Sequence, residues 1–454
     1  MEIISHKKRM DSTKVKKTKN IDITRKYDFP DNIAVVRHRN VILVIAVDAA
    51  NWIVLDNEEQ LTFFTLLRTE AIQDALKKFN GKQEDALKVL VQIEARGFER
   101  KSGVRRSMHK LQLFLTNACN MRCPHCYMFA GEKYENELSF EEITSLITSF
   151  VEHGGQRIVL TGGEIKMRKE LPEIIHSAYS NGLSIGLLTN GALWTEEEIA
   201  AIAPMISSVQ ISIDGYDEVS NARIRGKGNF KKALDNLDCF INNGVEAEVA
   251  ITPFFDETLK IEEVQSSYIQ FGKELLEKYS DKAFKVNYTA DLLSGRDIDI
   301  DKSKNEEYAV LVSNIYKRVY WDSGDGSFIN SIKRRELYDN CSYGNIAVTA
   351  SGDVYLCGRI SFLKPVANIR SQSLDEIFEL SEFAKKLSCI DNLVPCKDCC
   401  IKYICGGDCR LKYFSHFNDN SLLQEGTRLE RKCDLGRKEY IYDLMIRTNR
   451  KLFE

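Results

Sequence analysis

The chain has 454 residues, of which 43% are hydrophobic and 28% are charged, and its formal net charge is −3. This length exceeds that of one ordinary hydrophobic core, so we expect two or three domains. The nearly balanced charge excludes a general attraction to nucleic acid. No apolar run of about 18 residues is present, and the basic N-terminus lacks the apolar segment of a secretory signal. We therefore expect a cytoplasmic protein without a membrane partner.

The 13 cysteines are concentrated in two zones of the chain. All except Cys239 lie in residues 119–126 or 341–433, and Cys239 falls within a helical apolar stripe, where we expect a core residue. In a reducing cytosol, clustered cysteines are more often metal ligands than disulfide partners. The cysteine pattern therefore predicts metal centres.

Residues 1–27 are rich in lysine and have no periodicity, so they are interpreted as a flexible tail. The β-branched runs that follow predict a small antiparallel sheet. The spacing of apolar residues then predicts three short helices, and the stretch RKSGVRRS reads as a linker. The predicted helices cover residues 58–67, 70–79 and 82–96.

The order of these elements in residues 28–100, and the stretch WIVLDNEEQLTFFTLL, resemble the winged-helix-like RiPP recognition element. That resemblance implies a domain that binds the leader of a ribosomal precursor peptide. An open sheet edge can accept such a peptide as an added strand. A DNA-binding helix-turn-helix is the alternative, but the acids in LDNEEQ and QEDALK disfavour contact with phosphates.

Residues 108–300 alternate apolar runs with amphipathic helical patterns. This alternation predicts parallel βα units, with ligand chemistry at the carboxyl ends of the strands. Six units are too few for a closed eight-stranded barrel, so we expect an α/β fold built on a partial (β/α)6 barrel. The predicted strands are LQLFLT, RIVLTGG, SIGLLTNG, SVQISIDG, AEVAIT and KVNYT.

Three cysteines follow the first predicted barrel strand in a C-x3-C-x2-C pattern: Cys119, Cys123 and Cys126. A tetrahedral zinc site needs four ligands, whereas a [4Fe-4S] cube held by three thiolates has one iron with an open position. The pattern resembles the radical S-adenosylmethionine (SAM) superfamily, in which that iron binds the amino and carboxylate groups of SAM. His125 stands where the family usually has an aromatic residue, and Tyr127 is assigned to the cofactor pocket.

Four later motifs resemble the SAM-binding positions of that superfamily. In TGGE, the glycines would let the backbone approach the methionyl amine of SAM and the acid would accept from it, although Ile165 replaces the usual proline. The serine of SIDG would contact the ribose, and the arginine of RIRGKGNF would pair with the SAM carboxylate. The residues implied are Gly162, Gly163, Glu164, Asn190, Ser212, Asp214 and Arg225. No side chain beyond these groups is assigned a catalytic role.

Residues 301–335 are expected to form bridging helices, and residues 336–454 resemble the SPASM extension, which carries two auxiliary [4Fe-4S] clusters. The resemblance implies one cluster on Cys396, Cys399, Cys405 and Cys433. It implies another, nearer the active site, on Cys341, Cys357 and Cys409. Cys389 and Cys400 are spare thiols that either pack or complete the inner site. A zinc ribbon is disfavoured because paired C-x2-C hooks are absent.

Together these resemblances predict a RiPP maturase with three [4Fe-4S] clusters and SAM, reduced by an external flavodoxin-type or ferredoxin-type donor. It would bind a ribosomal precursor peptide through the leader and install a cross-link, with a thioether favoured over an aromatic carbon-carbon or ether link. A sulfatase-type maturase that oxidises a Cys or Ser side chain is the alternative among enzymes. A non-catalytic, zinc-stapled peptide or DNA adaptor is the alternative from another class.

Overall fold

The computed structural model describes residues 2–4, 18–99, 109–255, 260–290, 292, 295–298, 302–322, 341, 343–407, 409–413, 429–430, 433 and 435–450. The strands are β1 (Glu2–Ile4), β2 (Thr18–Asn20), β3 (Ile33–His38), β4 (Val41–Ala46), β5 (Asn51–Leu55), β6 (His109–Phe114), β7 (Gly155–Thr161), β8 (Ser184–Thr189), β9 (Ser208–Ser212), β10 (Glu246–Ile251), β11 (Phe284–Tyr288), β12 (Ile346–Val348), β13 (Asp353–Tyr355), β14 (Ala367–Asn368), β15 (Leu393–Val394) and β16 (Leu429–Glu430). The α-helices are α1 (Glu58–Leu67), α2 (Ile72–Lys78), α3 (Gln83–Arg96), α4 (Phe140–Glu152), α5 (Leu171–Ser180), α6 (Glu196–Ile202), α7 (Glu218–Arg225), α8 (Asn229–Asn242), α9 (Ile261–Lys278), α10 (Lys302–Asp322), α11 (Leu374–Ser388), α12 (Lys402–Cys405), α13 (Arg410–Tyr413) and α14 (Leu435–Arg450).

The N-terminal unit is a three-stranded antiparallel sheet with helices α1 to α3 on one face. Val44 and Ile53 lie opposite each other on β4 and β5 and are fully buried against these helices. The three predicted helices are confirmed to within two residues at each end. Apolar residues at helical spacing specify these helices, because each must bury one face against the sheet.

The prediction of a flexible tail over residues 1–27 is wrong for its last residues. Tyr27 is buried in the core of the N-terminal unit, and Arg25 forms ion pairs of 2.7 Å with Glu94 and Glu99. The backbone of Arg25 also accepts a hydrogen bond of 3.0 Å from the N–H of Ile72. These contacts join distant parts of the sequence and have no local signal. Residues 5–17 and the predicted linker, residues 100–107, lie outside the described residues.

The two edges of the N-terminal sheet differ. On the β5 edge, the side-chain amide of Gln92 accepts from the N–H of Val54 at 2.8 Å and donates to its carbonyl at 2.6 Å. Gln92 therefore occupies the groups that an added strand would use. On the other edge, β3 pairs with no strand other than β4 in the described part of the chain, and Val35 is 43% exposed.

Six parallel strands, β6 to β11, lie side by side in chain order. All six correspond to the predicted strands, and the α/β class with a partial (β/α)6 arrangement is confirmed. Helices cover this sheet, so Ile158, Leu187 and Val249 are fully buried. This burial explains why the strand sequences are runs of apolar residues. Polar residues at the carboxyl ends of the strands therefore meet along one edge.

The sheet continues into the C-terminal region. Strand β12 pairs in parallel with β6, with Ile346 opposite Leu111, and β13 and β14 add antiparallel strands to give a nine-stranded sheet. The sequence did not predict this extension, because β12 to β14 have only two or three residues each. Helix α10 lies in the predicted bridging region, and residues 323–335 of that region lie outside the described residues.

No helix in the described ranges combines the length and apolar character that crossing a membrane requires.

Candidate active site and auxiliary cluster sites

The C-x3-C-x2-C loop begins where β6 ends. Its ends are held together because the N–H of Cys119 donates to the carbonyl of Gly131 at 2.9 Å, and the N–H of Gly131 donates to Asn117 at 2.8 Å. The structure brings Cys119, Cys123 and Cys126 together. Burial raises the pKa of Cys123 to about 11, and the neighbouring cysteines act in the same direction while Arg225 lowers it.

Gly162 and Gly163 bring the end of β7 against the start of this loop. The N–H of Gly163 donates to the carbonyl of Thr116 at 2.8 Å. A Cβ at Gly163 would lie 2.4 Å from the carbonyl oxygen of Ala118, and one at Gly162 would lie 2.6 Å from that of Thr116. Glycine is required here because the two backbones leave no room for a side chain. In this structure, the close backbone approach is made to the cysteine loop.

Glu164 is fully buried, and its N–H donates to the carbonyl of Ala118 at the start of the loop. One carboxylate oxygen accepts from the hydroxyl of Thr189 and the other from the N–H of Asn190, each at 2.7 Å. Burial raises the pKa of Glu164, and these hydrogen bonds oppose the shift. The carboxylate therefore ties the carboxyl end of β7 to that of β8.

Asn190 connects the same strand end to the cysteine loop. Its side-chain amide donates to the side chain of Asn120, the residue after Cys119, at 2.8 Å. The half-buried Ser212 follows at the end of β9, and its hydroxyl has no hydrogen-bond partner in the described part of the chain. The ends of three adjacent strands thus present polar groups around one loop.

Asp214 is 1% exposed and lies between Arg225 and His125. Its Oδ2 is 2.7 Å from Arg225 Nε and 3.4 Å from His125 Nε2, and its Oδ1 accepts from the N–H of Thr252 at 2.9 Å. The Nε hydrogen of Arg225 does not point at Oδ2, so this contact is an ion pair more than an aligned hydrogen bond.

The charges around Asp214 are balanced within the site. Burial lowers the pKa of Arg225, but Asp214 and the Cys123 thiol outweigh it and raise the value above its usual range. Burial lowers the pKa of His125, with Arg225 acting in the same direction and Asp214 opposing it. A permanent positive charge beside the three thiols favours their thiolate forms, which an iron-sulfur cluster needs.

Tyr127, the residue after Cys126, lies close to the predicted inner auxiliary site. It packs against Phe114 and Ile360, and burial raises its pKa to about 12, with Cys126 and Cys357 acting in the same direction and Arg359 opposing them. Cys357 is buried, and Cys341 and Cys409 are close enough to raise its pKa further. The structure therefore brings the three predicted inner ligands close together, with Tyr127 near Cys357.

The four predicted outer ligands line one pocket. The residues of its wall include two cations from α14, Arg437 and Lys438, and the four thiols of Cys396, Cys399, Cys405 and Cys433. Among the described residues, no three Cys, His, Asp or Glu side chains converge on a single point as one metal ion would require. Thiols spread over the walls of a cationic pocket suit an anionic cube that binds each thiolate through a different iron.

The remaining cysteines have other contacts. The Cys389 thiol is 3.8 Å from Asp391 Oδ2, and the Cys400 thiol is 3.8 Å from the hydroxyl of Tyr442. Cys239 is partly buried against the barrel core, as expected. The assignment of Cys389 and Cys400 to packing remains a prediction.

The sequence analysis did not predict that residues 295–297 pack against the cysteine loop. The N–H of Asp297 donates to the carbonyl of Pro124 at 2.9 Å, and Arg296 donates to the carbonyl of Ala130. A Cβ at Gly295 would lie 2.5 Å from the backbone carbon of His125. A single glycine after β11 carries no local signal, because most such glycines are turns.

We expect Gly163→Ala to displace the cysteine loop, because the new Cβ would overlap the Ala118 carbonyl. The expected result is a loss of about four irons per chain, which corresponds to one cube. Iron analysis of anaerobically reconstituted protein measures it. Gly244→Ala is the control, since nothing lies within 4 Å of a Cβ there and only left-handed backbone strain is added. Equal iron in the two variants would contradict the role assigned to Gly163.

Two family profiles match the chain. Residues 113–266 match the Radical SAM superfamily, and residues 340–400 match SPASM, an iron-sulfur cluster-binding domain. A radical SAM domain implies a [4Fe-4S] cluster and SAM, and a SPASM domain implies auxiliary clusters.

Similar proteins cover parts of the chain. A segment of 142 residues, 31% of the chain, is 37% identical to the sporulation killing factor maturation protein SkfB of Bacillus subtilis (strain 168) and covers 34% of it. A segment of 269 residues, 58% of the chain, is 24% identical to the antilisterial bacteriocin subtilosin biosynthesis protein AlbA of the same strain and covers 58% of it. The chain thus spans about a third of SkfB and less than two thirds of AlbA.

The solved structure of native anSMEcpe with bound AdoMet shares the fold, with a TM-score of 0.50 and 18% identity over 76% of this chain and 98% of that chain. The strand order, the three-thiol loop at the carboxyl ends of the strands and the two profile matches agree with one another. The chain therefore carries a radical SAM domain at residues 113–266 and a SPASM iron-sulfur domain at residues 340–400, and its fold is that of the radical SAM enzymes.

Proposed function

We propose that this protein is a peptide maturase that removes a hydrogen atom from a ribosomally made precursor peptide and joins two of its residues. The observation that carries the proposal is that Tyr127, which directly follows Cys126, packs against a small hydrophobic cluster that contains Ile360, three residues after Cys357. An oxidative cross-link needs a radical source and an acceptor for a second electron. The predicted SAM-cluster site and the predicted inner auxiliary site would supply that pair.

The residues around the loop fit SAM. Bound at the cluster, SAM would supply a 5′-deoxyadenosyl radical that takes hydrogen from an unactivated carbon. Arg225 is held through Nε by Asp214, which leaves its Nη edge for the SAM carboxylate. The hydroxyl of Ser212 is available for the ribose. Oε1 of Glu164 accepts from Thr189 and from the N–H of Lys166, whereas Oε2 accepts from Asn190 and keeps a second lone pair that could accept from the SAM amine.

The N-terminal unit supports a peptide substrate, and we assign its free edge to the leader. Gln92 occupies the β5 edge, whereas β3 presents backbone groups beside the exposed side chain of Val35. An extended peptide paired with β3 would bury that side chain and satisfy the strand. Reducing electrons would come from an external flavodoxin-type or ferredoxin-type donor.

The link formed depends on the inner site. Three thiols, from Cys341, Cys357 and Cys409, would leave one iron of a cube open to a substrate thiolate, which favours a thioether. The contact of Cys389 with Asp391 supports leaving that thiol out of the ligand set. If another residue closes the site, the cluster would act only as an electron acceptor and an aromatic cross-link would follow.

We expect Cys126→Ala to abolish the formation of 5′-deoxyadenosine by dithionite-reduced protein with SAM, because the open iron is lost. Cys239→Ala is the matched control, since that thiol belongs to the barrel core, and it should retain activity. Chromatography of the nucleoside products measures the difference. Turnover by Cys126→Ala at the wild-type rate would contradict the assignment of Cys126 as a ligand of the SAM-binding cluster. Zinc in place of iron in the purified protein would favour the non-catalytic adaptor.

We expect Val35→Asp to weaken binding of the precursor about tenfold, because a charge on the free edge opposes strand addition. The probes are synthetic peptides encoded by the short open reading frames beside the gene, with affinity measured by fluorescence anisotropy. SAM cleavage without peptide should persist. Val310→Asp, at a 61% exposed position on α10, is the control. Equal affinity of both variants and the wild type would show that the leader binds elsewhere.

We expect the wild-type enzyme to convert its precursor to a product lighter by two hydrogens per link, with a peptide cysteine in each link. Mass spectrometry of the peptide co-expressed with the enzyme measures this, and the matched substrate replaces each cysteine by serine. A cysteine-free substrate that still loses two hydrogens and becomes cyclic would rule out the thioether.

A further inference from the structure

The outer face of the N-terminal sheet is buried against the loop that carries two of the outer cluster ligands. Ile401 and Ile404 lie between Cys399 and Cys405, and both are nearly fully buried in a hydrophobic core shared with that face. Sheet residues make up one wall of this core and α14 another, with Cys399, Cys400 and Cys405 packed at its border. Its sheet members are Leu43, Ile45, Trp52 and Val54, and its α14 members are Ile441, Leu444, Met445 and Ile446.

Helix α14 joins the outer site to the sheet along its length. It begins two residues after Cys433, and Arg437 and Lys438 in its first turn line the pocket of the four thiols. One turn further on, the ring of Tyr442 has its hydroxyl 3.8 Å from the Cys400 thiol and its centroid 5.3 Å from that of His38 on β3.

The second half of α14 is anchored to the N-terminal unit by polar contacts. The indole N–H of Trp52 donates to the carbonyl of Met445 at 2.9 Å, with Trp52 1% exposed. Asp443 binds His38 at 2.9 Å. The side chain of Asn449 donates to Gln92 at 2.8 Å, which continues the network to β5. These hydrogen bonds are directional, unlike the apolar contacts of the shared core, so they fix the register of α14 on the sheet.

We propose that the outer auxiliary site is the anchor of the N-terminal unit: the group bound by Cys396, Cys399, Cys405 and Cys433 orders the surface on which the sheet docks. This inference rests on one part of the proposed function, namely that an iron-sulfur cluster binds at the outer site. It does not depend on the substrate or on the link formed. The site thereby sets where a peptide held by the N-terminal unit lies relative to the barrel.

The physical reason is that the docking surface has little stability of its own. Helix α12 is a single turn of four residues, and Cys396 to Asp398 form one short 3-10 turn. Helices this short do not persist alone in water, whereas metal-thiolate bonds couple ligand binding directly to folding. The outer cluster and the sheet therefore hold the same loop from opposite sides, and each stabilises the binding of the other.

The test is hydrogen exchange on the full-length, anaerobically reconstituted protein. In Cys405→Ala we expect exchange at least about tenfold faster than in the wild type in β4, β5 and α14, with β7 to β9 unchanged. Cys119→Ala, which removes a ligand of the other cluster, should leave β4, β5 and α14 protected. Unchanged exchange in these three elements in Cys405→Ala would overturn the proposal.

The reverse experiment keeps the proposal testable if Cys405→Ala fails to fold. Trp52 is not one of the four predicted ligands, yet Trp52→Ala should release iron to a chelator about threefold faster or more, because the loop loses its support. Val310→Ala, at an exposed position on α10, is the control. Release from Trp52→Ala at the wild-type rate would refute the coupling. Formation of 5′-deoxyadenosine, measured in parallel, tests the proposed function separately, because it depends on Cys119, Cys123 and Cys126.

Discussion

The close backbone contact between the end of β7 and the start of the cysteine loop is the constraint on which the site depends. The N–H groups of Gly163 and Glu164 donate to the carbonyls of Thr116 and Ala118, each at 2.8 Å. At that separation no Cβ fits at Gly163. The contact places the buried Glu164 below the loop, and through Glu164 it orders the neighbouring strand end at Thr189.

The electrostatics of the site follow from that packing. Glu164 and Asp214 are removed from water and Arg225 is mostly buried, and each of these charges has hydrogen bonds or an opposite charge to compensate it. Burying an unpaired charge would be prohibitively unfavourable, so these groups are held rigidly before any ligand arrives. The ion pair of Arg225 with Asp214 keeps the guanidinium charge beside the three thiols.

The three parts of the chain are connected by different physical means. The barrel and the SPASM domain share one sheet through the pairing of β6 with β12, so backbone hydrogen bonds join the strand before the Cys119–Cys126 loop to the region around Cys357. The N-terminal unit is attached by a hydrophobic core and side-chain hydrogen bonds to α14. Its position therefore depends on the order of α14 and of the residues that pack with it.

The sequence by itself determined the elements that have a strong local period and the cysteines that a short spacing keeps in one loop. The six barrel strands and helices α1 to α3 were predictable because buried faces impose apolar runs and helical repeats. The proximity of Cys119, Cys123 and Cys126 was predictable because their short spacing keeps them in one loop after β6. Only the tertiary structure decided that Gln92 closes one sheet edge, that Gly295 straps the cysteine loop and that Trp52 docks on α14. These contacts join residues far apart in the chain, and each residue alone has many equally ordinary roles, so no local pattern specifies them.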